Sequence, residues 1–165
     1  MKIKIVEKSY QEVMALSKAK HKKPYRPDLF FRTLMRLVSI PDLKKTSFSF
    51  ERVGMEKLAK KEHALYLANH SSFIDLEIVA TVLYPRPFNI VTTTDGFIGK
   101  NWLMRKIGCI PTKKFVNDLS LIHDMEYALH KKKSSVVLFP EAGYSFDGTA
   151  TALPESLGKC IKLLK

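Results

Sequence analysis

A histidine and an aspartate five residues apart are the side chains of this sequence best suited to acid–base chemistry. His70 and Asp75 stand in the segment Ala68-Asn-His-Ser-Ser-Phe-Ile-Asp75, directly after the apolar run 64–68, which is typical of a short buried strand. On one continuous helix the two side chains would point about 140° apart. We therefore predict that His70 lies on a turn and that Asp75, at the start of a helix, reaches back to hold one imidazole nitrogen. The other nitrogen would then accept a proton.

The same segment has a purely structural interpretation. Ser72 and Asp75 have the spacing of a capping box, in which an acidic side chain bonds to the backbone at the start of its own helix. On this interpretation Asp75 only caps a helix and His70 only occupies a polar turn. The spacing alone does not choose between the two.

Two other segments carry polar groups directly after apolar runs. Glu141, between a proline and a glycine in the segment 139–145, is placed to accept a hydrogen bond from a substrate hydroxyl. Lys113 and Lys114, after the glycine turn at Gly108, offer positive charges to a phosphate. The alternatives are a carboxylate facing solvent and a solvated basic loop.

Alternating apolar strands and helices over residues 46–165 predict one α/β domain with layers of helices around a largely parallel sheet. The carboxyl edge of such a sheet is where ligands bind, so the polar segments should meet there. The predicted strands are 47–52, 64–68, 88–92 and 135–139, and the predicted helices are 74–83, 102–107, 119–131 and 156–164. No strand follows the last helix, so we expect the domain to be incomplete at its C-terminus.

Residues 1–45 are predicted to form a separate N-terminal segment. It contains a strand over 1–8, a helix over 9–20, a basic linker over 18–26, and a helix over 29–39 that Pro41 ends. The helix over 29–39 places Phe30, Leu34, Leu37 and Val38 on one side and carries Arg32 and Arg36. That face suits either a membrane interface or packing against the core.

The charge balance narrows the classes of partner. The 28 Lys and Arg residues outnumber the 16 Asp and Glu residues, which gives a net charge of +12 and favours an anionic partner. Patterns typical of nucleic-acid binding are missing, so a membrane surface, a phosphorylated substrate or an acidic carrier protein is expected instead. No apolar run reaches the roughly 20 residues that cross a bilayer. Cys109 and Cys160 lack metal-ligand spacing, and no metal or bound cofactor is expected.

Taken in order, the three polar segments resemble the motifs of the 1-acyl-glycerol-3-phosphate acyltransferase family. Asn69-His70 followed by Asp75 resembles the Asn-His-x-x-x-x-Asp signature of the family. The segment 102–114 resembles its second motif, and 139–145 resembles the third, Phe-Pro-Glu-Gly-Thr-Arg-Ser. The resemblance covers roughly residues 47–165. Lys114 and Tyr144 stand where the family has arginines, so the acceptor head group stays open.

The resemblance implies an acyltransferase-like fold and an enzyme of phospholipid biosynthesis, peripheral or monotopic on the cytoplasmic side of a membrane. It would transfer a fatty acyl group from acyl-CoA or acyl-carrier protein to the hydroxyl of a lysophospholipid such as 1-acyl-glycerol-3-phosphate. His70 and Asp75 would be catalytic. The substrate would contact Asn69, Ser72, Lys113, Lys114, Glu141, Ala142, Gly143 and Ser145. The alternative is a non-catalytic, basic membrane- or lipid-binding module with degenerate acyltransferase motifs.

Overall fold

A four-stranded parallel sheet flanked by five helices forms the described part of this protein. The computed structural model describes residues 11–12, 21–59, 61–72, 74–94, 99–112, 119–141, 143 and 152–164. The strands are β1 (Leu65–Leu67), β2 (Phe88–Thr93), β3 (Cys109–Thr112) and β4 (Ser135–Leu138). The helices are α1 (Leu29–Lys45), α2 (Asp75–Leu83), α3 (Asn101–Lys106), α4 (Leu119–Glu126) and α5 (Ser156–Leu163). The predicted α/β class is confirmed.

The strand order in the sheet is β1-β4-β2-β3, and every neighbouring pair is parallel. The last of the four described strands therefore lies between the first two. Leu67 at the end of β1 is in register with Leu138 at the end of β4. This pairing brings together two chain segments that are far apart in the sequence.

Apolar side chains cover both faces of the sheet, as expected for a parallel sheet between helices. Val136 and Val137 are neighbours on β4 and point to opposite faces, because side chains alternate along a strand. One core cluster contains Ala80, Leu83, Phe88, Ile90, Met104, Ile107, Cys109 and Val137. The other contains Ile110, Met125, Ala128, Leu129, Val136 and Leu164.

One predicted strand is absent, and one observed strand was not predicted. Residues 47–52 form no strand; Phe48 and Phe50 stack on each other, and Arg52 donates a hydrogen bond to the carbonyl of Val82. Conversely, Cys109–Thr112, interpreted as part of a turn, forms the edge strand β3. Proline in the sequence argues against a strand, but Pro111 is tolerated because an edge strand leaves one side without ladder hydrogen bonds.

Helix α1 continues past Pro41, so the prediction that this proline ends the helix was wrong. Asp28 caps the first turn by accepting the backbone N–H of Phe31, and this hydrogen bond lowers the pKa of the Asp28 carboxyl. Ser39 and Leu43 are buried on either side of the proline. The additional packing offsets the hydrogen bond that proline removes.

The face of α1 that the sequence singled out is exposed. Phe30 and Leu37 are 68% and 59% exposed, and Leu34 is also exposed. The other side of the helix packs Phe31 and Met35 against the core. Of the predicted face, Phe30, Leu34 and Leu37 do not pack against the core, whereas Val38 is half-buried. None of the helices described here is long and apolar enough to cross a bilayer.

The predicted elements 1–8 and 9–20 lie outside the described residues, apart from Gln11 and Glu12. The linker that follows them is attached to the sheet. The buried side chain of Asn89 donates hydrogen bonds to the carbonyls of Tyr25 and Gly108, both at 2.9 Å. Residues 24–27 are thereby held against the start of β3.

Candidate active site

His70 and Asp75 are in direct contact on the turn between β1 and α2. The Nδ1 atom of His70 donates a hydrogen bond of 2.6 Å to Oδ2 of Asp75. Their side chains are 25% and 11% exposed, so the pair is partly shielded from water but still reachable. The predicted geometry, a turn histidine held by the first residue of a helix, is present.

The Asp75 carboxylate also organises the turn that contains His70. Its Oδ2 atom accepts the backbone N–H groups of Ser71 and Ser72, at 2.9 and 3.2 Å. Ser72 Oγ in turn accepts the N–H of Ile74 at 3.2 Å. The Asp75 carboxylate therefore has both roles that the sequence suggested. It caps the turn before α2, and it holds the His70 imidazole.

The ring of Phe139 packs against the face of the His70 imidazole. Phe139 follows β4, and its ring is stacked on the His70 imidazole with centroids 4.4 Å apart and an interplanar angle of 24°. The backbone brings the rings together, since Ala68 N–H donates to the carbonyl of Leu138 and extends the β1–β4 ladder. In the sequence, Phe139 was assigned to the end of a strand and to the start of the third motif, and its contact with His70 was not predicted.

Glu141 belongs to the same edge of the sheet as His70. Leu67 and Leu138 are in register, and His70 and Glu141 each lie three residues beyond them. The segments that follow β1 and β4 thus lie next to each other at one edge of the sheet. Glu141 is half-buried, whereas Asn69 is exposed.

A comparison with known families shows to which family the chain belongs. The family described as Acyltransferase matches residues 49–160, a range that contains His70, Asp75 and Glu141. The chain belongs to the Acyltransferase family. The family assignment made from the sequence is confirmed.

A 1-acyl-sn-glycerol-3-phosphate acyltransferase of the Arabidopsis thaliana chloroplast is 28% identical to this chain over 132 residues. The similar region covers 76% of this chain and 35% of that relative. The chain thus spans about a third of the length of the curated relative. No solved structure matches the chain at a significant level.

Four of the predicted substrate contacts lie outside the described residues: Lys113, Lys114, Ala142 and Ser145. Their roles stay predictions. Of the other predicted contacts, Gly143 is described and follows Glu141 at the same edge. Two open cavities, of about 730 and 560 Å³, lie elsewhere and are not lined by His70 or Asp75.

Both cysteines of this chain are free thiols. Cys109 is fully buried in β3, and burial raises the pKa of its thiol to about 12. Burial also raises the pKa of the Cys160 thiol. Across the described ranges, no group of three or more His, Cys, Asp and Glu side chains is placed to hold a metal ion.

Proposed function

We propose that this chain transfers a fatty acyl group from acyl-CoA or acyl-carrier protein to the hydroxyl of a lysophospholipid such as 1-acyl-glycerol-3-phosphate. The observation that carries the proposal is the hydrogen bond between His70 and Asp75 at the carboxyl edge of the sheet. The Acyltransferase family supports the reaction class, and the chloroplast relative supports the glycerolipid acceptor.

His70 acts as the general base in this mechanism. The Nδ1 proton is engaged by Asp75, which leaves Nε2 as the nitrogen that accepts the proton of the acceptor hydroxyl. The hydroxyl oxygen attacks the carbonyl carbon of the thioester, and a C–O bond forms. The intermediate then collapses with cleavage of the C–S bond, and the imidazolium returns its proton to the thiolate. Asp75 stabilises the imidazolium while it exists.

Direct attack by the acceptor is favoured over an acyl-enzyme. A covalent route needs a side chain that is activated as a nucleophile. The oxygen of Ser72 accepts the Ile74 N–H and is part of the turn, and the Cys109 thiol is buried with a raised pKa. Neither group is arranged as a nucleophile next to a base.

The acceptor is proposed to bind along the edge that His70 shares with Glu141. The Glu141 carboxylate would accept a hydrogen bond from the acceptor, with Asn69, Ser72 and Gly143 nearby. Lys113 and Lys114 would meet the head-group phosphate, together with Ala142 and Ser145 on the loop. Since Tyr144 stands where the related motif has arginine, head groups other than a bare phosphate belong in any substrate panel.

We also propose that α1 attaches the protein to the cytoplasmic face of a membrane. Leu29, Phe30 and Leu37 are each more than half exposed, and Trp102 nearby is 67% exposed with its ring against Phe31. Exposed aliphatic and aromatic residues on a strongly basic protein suit the interface of an anionic bilayer. The same surface favours the alternative function, a non-catalytic membrane-binding module.

An acyl-transfer assay separates these two functions. The full chain is incubated with a long-chain acyl-CoA and a panel of lysophospholipids, and both free CoA thiol and the diacyl product are measured. We expect turnover that His70→Ala lowers by at least about 10³-fold. His123→Ala is the matched control, because His123 is exposed on α4 and pairs only loosely with Glu126 at 3.7 Å. Normal turnover in folded His70→Ala protein would overturn the mechanism. Vesicle binding without turnover on any acceptor would favour the non-catalytic module.

A further inference from the structure

A positively charged cavity, the larger of the two mentioned above, lies at the opposite edge of the sheet from His70. Its volume is about 730 Å³. Leu65 is the first residue of β1, Pro87 directly precedes β2, and Lys133 precedes β4 by two residues. These amino ends mark the edge opposite the one from which His70 emerges. The lining residues are Arg26, Lys61, His63, Leu65, Pro87, Leu129, His130, Lys133, Ile161 and Leu164.

The polar part of this cavity is entirely basic. Arg26, Lys61 and Lys133 come from three separate segments, and none of the lining residues is acidic. Burial lowers the pKa of the His63 imidazole, and the positive charges of Arg26, Lys133 and Arg86 lower it further. Positive charge is therefore concentrated here without a negative group in the lining to balance it.

The rest of the lining is apolar. Leu65, Leu129, Ile161 and Leu164 contribute aliphatic surface beside the cations. His130 is tied to this wall, since its Nε2 donates a hydrogen bond of 2.9 Å to the carbonyl of Leu164. A ligand that fits both halves carries a negative head and an apolar tail.

We propose that this cavity binds a single-chain phosphate monoester, with its head among Arg26, Lys61 and Lys133 and its alkyl chain along Ile161 and Leu164. A phosphate monoester is close to doubly charged near neutral pH, which matches a group of several cations better than a carboxylate does. The chain's own first 20 residues are not complementary, because they contain five lysines and two glutamates. A ligand here is separated from His70 by the length of the strands, so this site is independent of the proposed reaction.

Binding is tested by calorimetry on the full chain with three probes: octyl phosphate, inorganic phosphate and the uncharged octyl glucoside. We expect octyl phosphate to bind at one site, inorganic phosphate to bind more weakly, and octyl glucoside not to bind. Equal affinity for octyl phosphate and inorganic phosphate would overturn the role of the apolar wall. No detectable binding of octyl phosphate would overturn the site.

Two matched double variants distinguish binding in the cavity from attraction to the overall positive charge of the protein. Lys61→Gln with Lys133→Gln removes two lining charges and should weaken octyl phosphate binding about tenfold. Lys57→Gln with Lys159→Gln removes two exposed charges elsewhere and should change it less than about twofold. An equal loss in both double variants would mean that only the overall charge attracts the ligand, which contradicts a built site.

His63 gives a local readout that a misfolded variant would not mimic. A bound phosphate offsets the positive charges of Arg26, Lys133 and Arg86 that act on the imidazole, so saturation with octyl phosphate should raise the His63 pKa in an NMR titration. The measurement is made in His70→Ala protein, so its result does not depend on acyl transfer. An unchanged His63 pKa at saturation would place the ligand elsewhere.

Discussion

The imidazole of His70 lies flat against the ring of Phe139, with the ring centroids 4.4 Å apart. This contact joins the residues that follow β1 to those that follow β4. The imidazole is thus fixed on one side by a hydrogen bond to Asp75 and on its face by an aromatic ring. Each restraint can be removed separately, which makes the geometry of the site testable.

Replacing Phe139 by Leu should lower turnover about tenfold while leaving the protein folded. Aromatic pairs contribute about 0.5–1.5 kcal/mol beyond burial, and a base that is less well held reacts more slowly. Steady-state acyl transfer and circular dichroism check this. Phe139→Tyr, which keeps the ring, should retain most activity. Equal activity in Phe139→Leu and the original protein would show that stacking does not position the base.

Asp75→Asn should lower both activity and stability. The amide cannot stabilise an imidazolium as a carboxylate does, so we expect turnover to fall by about 10²–10⁴-fold. The weaker hydrogen bonds to Ser71 and Ser72 should lower the free energy of unfolding by about 1–2 kcal/mol. Acyl transfer and urea denaturation measure the two effects, with Glu51→Gln at an exposed carboxylate as a control for lost charge. Full activity in Asp75→Asn would leave the carboxylate with a capping role alone.

Gly108→Ala should destabilise the fold by about 2–4 kcal/mol. Gly108 has a φ of +98°, and an added Cβ would lie 2.6 Å from both the carbonyl oxygen of Phe88 and Cγ of Pro27. Gly158→Ala is the matched control, because nothing lies within 4 Å of its Cβ and it is inside α5. That substitution should stabilise by about 0.5–1 kcal/mol. Equal midpoints of urea unfolding for the two variants would contradict the packing of Pro27 on Gly108.

The two cysteines should react with iodoacetamide at very different rates. Burial raises the pKa of Cys109 to about 12, so its thiolate fraction near neutral pH is on the order of 10⁻⁵. Cys160 is only partly buried and should be modified first. Mass spectrometry of peptides after timed labelling checks the order. Labelling of Cys109 first in folded protein would mean that β3 opens or that the thiol is accessible.

Glu77→Gln should stabilise the protein near neutral pH but not in acid. Burial raises the pKa of the Glu77 carboxyl, and the negative charge of Asp42 raises it further. The folded pKa thus lies above the unfolded value. Its stabilising contribution is full below the unfolded pKa of about 4.5 and is lost as the pH rises through the folded pKa.

The measurement is urea unfolding of both proteins near pH 4 and near pH 7, with the exposed Glu51→Gln as control. We expect the advantage of Glu77→Gln to grow as the pH rises. The same difference at both pH values would assign the effect to something other than this ionisation.

Much of the candidate site was predictable because its residues lie close together in the sequence. A strand, a turn and a helix start within eleven residues, so the contact of His70 with Asp75 follows from backbone geometry over five positions. Strands and helices with long apolar runs were likewise found at nearly their observed bounds. The predictions failed where local signals misled. Pro111 argued against the edge strand β3, Pro41 suggested an early end of α1, and residues 47–52 do not pair with another strand.

The sequence by itself determined the α/β class, the membership of the Acyltransferase family and the pairing of His70 with Asp75, because these depend on residues close together in the chain. Only the tertiary structure decided that β4 enters between β1 and β2, that Phe139 therefore stacks on His70, and that Phe30 and Leu37 face outward. Strand order and exposure result from packing between distant segments, and no local spacing encodes which of those segments become neighbours.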